Sequence, residues 1–141
     1  MVRLLKAVYE KMLAAAVQGS PEEVCGLLCG DIADKVISDV YLLENAEHSE
    51  CRFSVNTREH LDAVRDIRKR GMTPVGNFHS HPKGPSEPSE EDKRLAYDRN
   101  AVYLILSLEN TPVLKAFHIE NGIAEEEILV IEEGFSNGAV K

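Results

Sequence analysis

Val75-Gly76-Asn77-Phe78-His79-Ser80-His81-Pro82, followed by Lys83-Gly84-Pro85-Ser86-Glu87-Pro88 and then Ser89-Glu90-Glu91-Asp92, is the stretch on which the fold turns. Residues 75–81 read as a strand, and Pro82, which has no N–H to give to a ladder, stops it. Residues 83–88 carry one glycine and two prolines and read as a loop. Ser89, with an acid three residues on, reads as the start of a short helix. Alternate residues of a strand point to one side, so His79 and His81 present both rings to one face at the strand's end, and Ser80 points the other way, toward nearby backbone. Asp92, in the first helical turn, can bring a carboxylate to the same place.

Upstream, Leu4 to Val17 reads as a helix, because Leu4, Val8, Met12 and Leu13 recur at helical spacing and Gly19 ends it. Val24 to Cys29, stopped by Gly30, is almost wholly apolar and reads as a buried strand; Val36 to Leu43 reads as a second. After a polar connection over 44–52, Asn56 opens a helix with Glu59 as a capping-box partner, and Gly71 closes it. Downstream, Val102 to Leu108, Leu114 to Ile119 and Glu127 to Ile131 read as strands. The expected order is αββαβαβββ, a single α/β domain with a mixed central sheet and helices on its faces, spanning residues 1–135. The tail over 136–141 is expected to fray.

Composition sets the outer bounds. A chain of 141 residues, 43% hydrophobic and 28% charged, can bury a real core and is not of disordered type. The net charge of −8 repels phosphate backbones, which argues against nucleic-acid binding. No apolar run spans a membrane: Arg3, Lys6, Glu10 and Lys11 interrupt the first segment. The expected location is the cytoplasm. Cys25, Cys29 and Cys51 are too few, and odd in number, for a disulfide framework; Cys25 and Cys29 alternate onto one strand face as buried small hydrophobes.

Two imidazoles and one carboxylate make a three-ligand set with an open position, the pattern of catalytic zinc. Ser89-x-x-Asp92 also has the form of a simple capping box. The water of such a site needs a proton acceptor. Glu22 and Glu23 precede the strand beginning at Val24; Ser20-Pro21-Glu22-Glu23 could instead open a helix, but the glycines of Val24-Cys25-Gly26-Leu27-Leu28-Cys29-Gly30 show no helical period. A strand fits better and leaves Glu23 at its mouth.

These residues resemble the JAMM (MPN+) metalloprotease family, in its minimal prokaryotic form. The family pattern is a Glu in a Glu-x-x-Gly context, then His-(Ser/Thr)-His-Pro, seven residues from the second His to a Ser, and an Asp three further on. Glu23-Val24-Cys25-Gly26, His79-Ser80-His81-Pro82, Ser89 and Asp92 match throughout. Phe53-Ser54-Val55, Val75-Gly76 and Tyr103-Leu104-Ile105-Leu106-Ser107 resemble its framework. The resemblance implies a cytidine-deaminase-like α/β fold and one zinc per chain, with a bound water, held by His79, His81 and Asp92. It implies Glu23 rather than Glu22 as general base and Ser89 as the donor to the developing oxyanion. The implied reaction is hydrolysis of peptide or isopeptide bonds after the Gly-Gly tail of a ubiquitin-like modifier or sulfur-carrier protein. Two rivals share the ligand set or the fold: a non-haem iron oxygenase with a two-His-one-carboxylate triad, and a non-catalytic scaffold, which would be expected to lose ligands. A deaminase would need a Pro-Cys-x-x-Cys motif, and none is present.

Overall fold

A computed structural model of the protein describes residues 1–49 and 54–134; the expectation for residues 136–141, like Cys51 and Phe53, lies outside them. The elements run β1 (Val2–Leu5), α1 (Lys6–Gly19), β2 (Cys25–Asp31), β3 (Val36–Leu43), α2 (Thr57–Lys69), β4 (Thr73–His81), α3 (Glu90–Arg94), β5 (Val102–Ser107), β6 (Val113–Glu120), β7 (Ile123–Glu127) and β8 (Leu129–Glu132). All eight strands join one sheet in the order β7-β6-β5-β4-β2-β3-β1-β8. It is mixed: β1 runs parallel to β3 and β8, β4 runs parallel to β5, and the other neighbours are antiparallel. No described helix is long and apolar enough to cross a membrane.

The expected α/β layering is present, with two corrections at the ends. Leu4 belongs to β1, not to the first helix. Val2 and Leu4 are fully buried, while Arg3 between them turns out to Glu132; this period-two signal is hidden because Leu4 and Val8 also stand at helical spacing. At the other end the single strand expected over 127–131 is two strands broken at Ile128. A flat sheet of eight strands would hold its outer members about 34 Å apart, whereas the one residue between β7 and β8 reaches about 7 Å. The sheet therefore rolls up, as its twist permits. Lys35 Nζ, just before β3, meets Glu127 Oε1 at the end of β7 at 2.6 Å, and the Val2 N–H donates to the Ile128 carbonyl at 2.8 Å as the first rung of the β1–β8 ladder.

The two faces are filled differently. On one, Val8, Met12 and Ala16 of α1 form a single cluster with residues of six strands, including Leu28, Phe78, Leu104 and Ala116. On the other, Ala63 and Ile67 of α2 cover Leu27 and Cys29, and Ile105, Phe117 and Ile119 form a third cluster with Ala96 after α3. Asn56 caps α2 as expected, accepting from the N–H groups of Arg58 and Glu59. Glu59 does not complete the capping box; its carboxylate accepts from the Glu44 N–H instead, tying the helix to the end of β3. Cys25 and Cys29 are buried free thiols, and burial pushes them up to about 12 and about 11, which makes them inert at neutral pH.

One glycine controls how closely β4 can lie on β5. A Cβ on Gly76 would stand 1.8 Å from the Val102 carbonyl oxygen, so any side chain there must push the parallel pair apart. Gly76→Ala is expected to destabilise the protein by about 1–3 kcal/mol or more, whereas Gly134→Ala, which meets nothing within 4 Å, should stay within about 0.5 kcal/mol. Urea midpoints of the two variants check this.

Candidate metal centre

The β2–β4 pairing sets Cys25 opposite His79. It continues one step past the end of β2: the Ser80 N–H donates to the Val24 carbonyl at 2.8 Å, and the Val24 N–H donates to Ser80 Oγ at 2.8 Å. Ser80, expected to bond nearby backbone, does so. One further step along this antiparallel register brings Glu23 beside His81, on the face that also carries His79. Glu23, His79 and His81 are all buried, and one ligand atom from each lies within 4.8 Å of the others. Glu22 instead turns outward to His48, with Oε1 3.3 Å from the ring Nδ1.

Asp92 arrives from α3. Its Oδ2 lies 3.1 Å from Nε2 of His79 and 3.1 Å from Nε2 of His81, and the two Nε2 atoms are 3.0 Å apart. The same Oδ2 accepts from the Ser89 N–H at 2.9 Å, while Ser89 Oγ accepts from the Asp92 N–H at 3.0 Å. The capping box is therefore real, and it does not compete with the cluster: it is what aims the carboxylate at the imidazoles. As an acceptor in the cap, Ser89 keeps its hydroxyl proton to give. Ser89 borders the same cleft as Glu23 and His81.

The loop over 83–88 sets the tautomer of His81. Its Nδ1 lies 2.8 Å from the Pro85 carbonyl. A carbonyl only accepts, so Nδ1 carries the proton and, in the neutral ring, Nε2 offers its lone pair to the cluster. Ser86 Oγ donates to the Ile105 carbonyl at 2.6 Å and Ser107 Oγ to the Gly84 carbonyl at 2.6 Å, which pin this loop onto β5. Asn45 holds the other wall. It is buried, donates from Nδ2 to the Glu23 carbonyl at 3.0 Å, and accepts from the N–H groups of Glu47 and Ser54. Neither Asn45 nor the Pro85 carbonyl figures in the sequence reading. A lone Asn in a polar connection carries no motif, and a backbone acceptor leaves no trace in residue identity.

Electrostatics mark the same four side chains. Burial pushes Glu23 up to about 7, against the pull of His81 and with the added push of Asp92 and Glu91. Burial would also raise Asp92, but hydrogen bonds from His79 and His81 hold it well below the usual carboxylate range. Burial draws His79 down. It opposes charging of His81 too, but there Asp92 and the Pro85 carbonyl win and the ring is raised.

This geometry fits a cation. Two nitrogens and an oxygen form a triangle with edges of 3.0–3.1 Å, close to the roughly 3.3 Å between ligand atoms of a tetrahedral zinc with bonds of about 2.0–2.1 Å. With both Nε2 atoms deprotonated, lone pairs so crowded need a shared positive partner. Beside them Glu23 Oε1 is buried with no hydrogen-bond partner, an orphaned acceptor aimed into the site.

Residues 5–120 match the family model described as prokaryotic homologs of the JAB domain. Over 125 residues the chain is 29% identical to the CysO-cysteine peptidase of Mycobacterium tuberculosis, covering 86% of each chain. Over 103 residues it is 30% identical to the desampylase of Haloferax volcanii, covering 70% of this chain and 74% of that protein. A solution structure of a Desulfitobacterium hafniense protein superposes with a TM-score of 0.88 at 44% identity over 96% of both chains.

The raised Glu23 makes stability of the metal-free protein depend on pH. Its carboxyl binds a proton more tightly folded, at about 7, than at its ordinary 4.5. The contribution is fully present below pH about 4.5 and is lost as pH rises through about 7. With chelator present, Glu23→Gln should match the parent near pH 4 and become the more stable of the two by pH 8. His81 is also raised, in part by the Glu23 carboxylate itself, so the difference between the two proteins reports Glu23 together with its coupling to His81. Urea midpoints across this range give the difference directly; a gap that does not widen with pH would mean that Glu23 is not held as described.

Proposed function

We propose a function from one premise: this chain belongs to the prokaryotic JAB-domain family. It is a hydrolase of that family, and in our reading it is a zinc-dependent peptidase or isopeptidase. It cleaves after the Gly-Gly tail of a ubiquitin-like or sulfur-carrier protein. The observation that carries the reading is the triangle of His79, His81 and Asp92 atoms with Glu23 Oε1 orphaned at its side. The relatives' names, CysO-cysteine peptidase and desampylase, support a small carrier or ubiquitin-like substrate.

In this reading His79, His81 and Asp92 hold the ion, and Glu23 stays outside the ligand set. Zinc held there would lower the pKa of a water toward about 7 and would polarise a carbonyl. Glu23, buried beside the triangle with Oε1 unpartnered, takes a proton from water and returns it to the leaving amine. Ser89 donates its free hydroxyl proton to the carbonyl oxygen as that atom gains charge. The Pro85 carbonyl keeps His81 in the tautomer that binds through Nε2.

Four variants test the assignment. Metal analysis of protein purified without added metal should find about one zinc per chain, not iron, and His81→Ala or Asp92→Ala should lose it. Near-stoichiometric zinc in both would overturn the ligand set. Glu23→Gln should keep its zinc and lose roughly 10²–10⁴-fold in turnover of a carrier–Gly-Gly fusion. Ser89→Ala should lose about 10²–10³-fold in turnover with KM little changed; a drop in melting temperature alone, from about 1 kcal/mol of lost capping, would reduce Ser89 to its cap.

A further inference from the structure

The four side chains stand between two clefts. One, of about 920 Å³, is bordered by Glu23, His81, Lys83 and Ser89. The other, of about 640 Å³, is bordered by His79 and Asp92. They are chemically unlike. The second has α2 on one side and residues 95–97 on the other, and much of its wall is apolar: Val55, Leu95, Tyr97, Tyr103, Ile105 and Ile119. Leu95 and Tyr97 are left 46% and 86% exposed, although both are large apolar groups that folding would normally cover. On its floor, two residues before His79 on the same strand and face, lies Asn77. The Asn77 carboxamide makes no hydrogen bond to any described residue.

We propose that Asn77 binds the backbone of the substrate's tail, holding the segment before the scissile bond in this second cleft. The inference rests on Glu23 as the group that returns a proton to the leaving amine. That amine must then lie on the Glu23 side, in the first cleft, so the acyl chain passes the reaction centre into the second. A peptide entering an apolar-walled cleft must have its N–H and C=O groups satisfied. In an extended chain the N–H and C=O of one residue point to the same side, and a carboxamide, with a donor and an acceptor side by side, can bond both without reading the side chain. Distance identifies which residue it meets. Asn77 lies two residues, about 6.6 Å, from His79 along β4, and an extended tail covers that distance in two residues. The residue opposite Asn77 is therefore the one that precedes the Gly-Gly pair. Leu95 and Tyr97 at the lip would then meet an apolar side chain just upstream of it.

The test uses a fusion of a small ubiquitin-like carrier, ending in Gly-Gly, to a reporter protein. Two synthetic tail peptides serve as competitors: one ordinary, one N-methylated on the residue before the two glycines. Asn77→Ala should raise KM for the fusion about five- to fifty-fold, as expected for one or two lost hydrogen bonds, with kcat, zinc content and melting temperature little changed. In the parent protein N-methylation should weaken inhibition by a similar factor; in Asn77→Ala the unmethylated peptide should already be weak, and methylation should add nothing. An unchanged KM in Asn77→Ala, a methylation effect that survives the substitution, or failure of the unmethylated peptide to compete in the parent would each overturn the proposal and leave the hydrolase reading intact. A parent protein that leaves the fusion uncut would instead overturn the proposed function, and the tail seat with it.

Discussion

Two hydrogen bonds between Val24 and Ser80 hold the site together. They carry the β2–β4 ladder past the end of β2, so that a residue lying outside any strand is still held at strand register. Without them Glu23 would sit on a mobile approach to β2, and the group with the most perturbed surroundings would be the least well placed. A serine between two histidines thus has a definite physical task. Its side chain must be small enough to be wholly buried on the α1 face and must present an oxygen to a backbone N–H that β4 itself cannot reach. Asn45 secures the same segment from the opposite side through the Glu23 carbonyl. Glu23 is therefore fixed by its backbone, while its buried Oε1 has no hydrogen-bond partner, which suits the proposed role of exchanging a proton.

The cluster also resolves a conflict of burial. Four ionisable groups in one partly dry place would normally be costly. Here the costs are distributed. Asp92 keeps its charge because two imidazoles and the Ser89 N–H all address a single oxygen. His79, the most deeply buried, is drawn toward the neutral form. Glu23 alone is left without a donor, and its proton affinity rises accordingly. Environments that push two nearby carboxylates apart in this way separate a group that stays anionic from one that can cycle.

Much of this was legible in the sequence, and what was not has physical reasons. Period-two placement of His79 and His81, the stop at Pro82 and the turn-and-cap of residues 83–92 are local rules, and all three hold. Choosing Glu23 over Glu22 needed the family pattern, because two adjacent acids before a strand are locally equivalent; only the cross-strand register with β4 separates them. The N-terminal strand was hidden under a helical spacing shared by Leu4 and Val8. The break at Ile128 could not be read at all, since it arises from closure of the sheet and not from any residue preference near it. The supports of the site, Asn45 and the Pro85 carbonyl, are tertiary contacts between segments far apart in the chain, and no window of sequence contains both partners.

Topology explains why the site lies where it does. β4 and β5 are parallel, and parallel neighbours cannot be joined by a hairpin; a crossover must leave the carboxyl end of the first strand and return to the amino end of the second. Residues 82–101 are that crossover, and they start directly above His81. Whatever they carry is delivered to the strand's carboxyl end, the position at which open α/β sheets place their ligands. The crossover carries the Pro85 carbonyl that orients one imidazole and, within the first turn of α3, the carboxylate that addresses both. Close contact of the parallel pair is itself conditional on Gly76, whose missing Cβ lets Val102 approach. The antiparallel partner β2, on the other side of β4, meanwhile ends its ladder at the same level and supplies Glu23. A strand with one parallel and one antiparallel neighbour thus receives a loop from one side and a strand end from the other, both at its carboxyl terminus, and two histidines placed there meet a carboxylate from each.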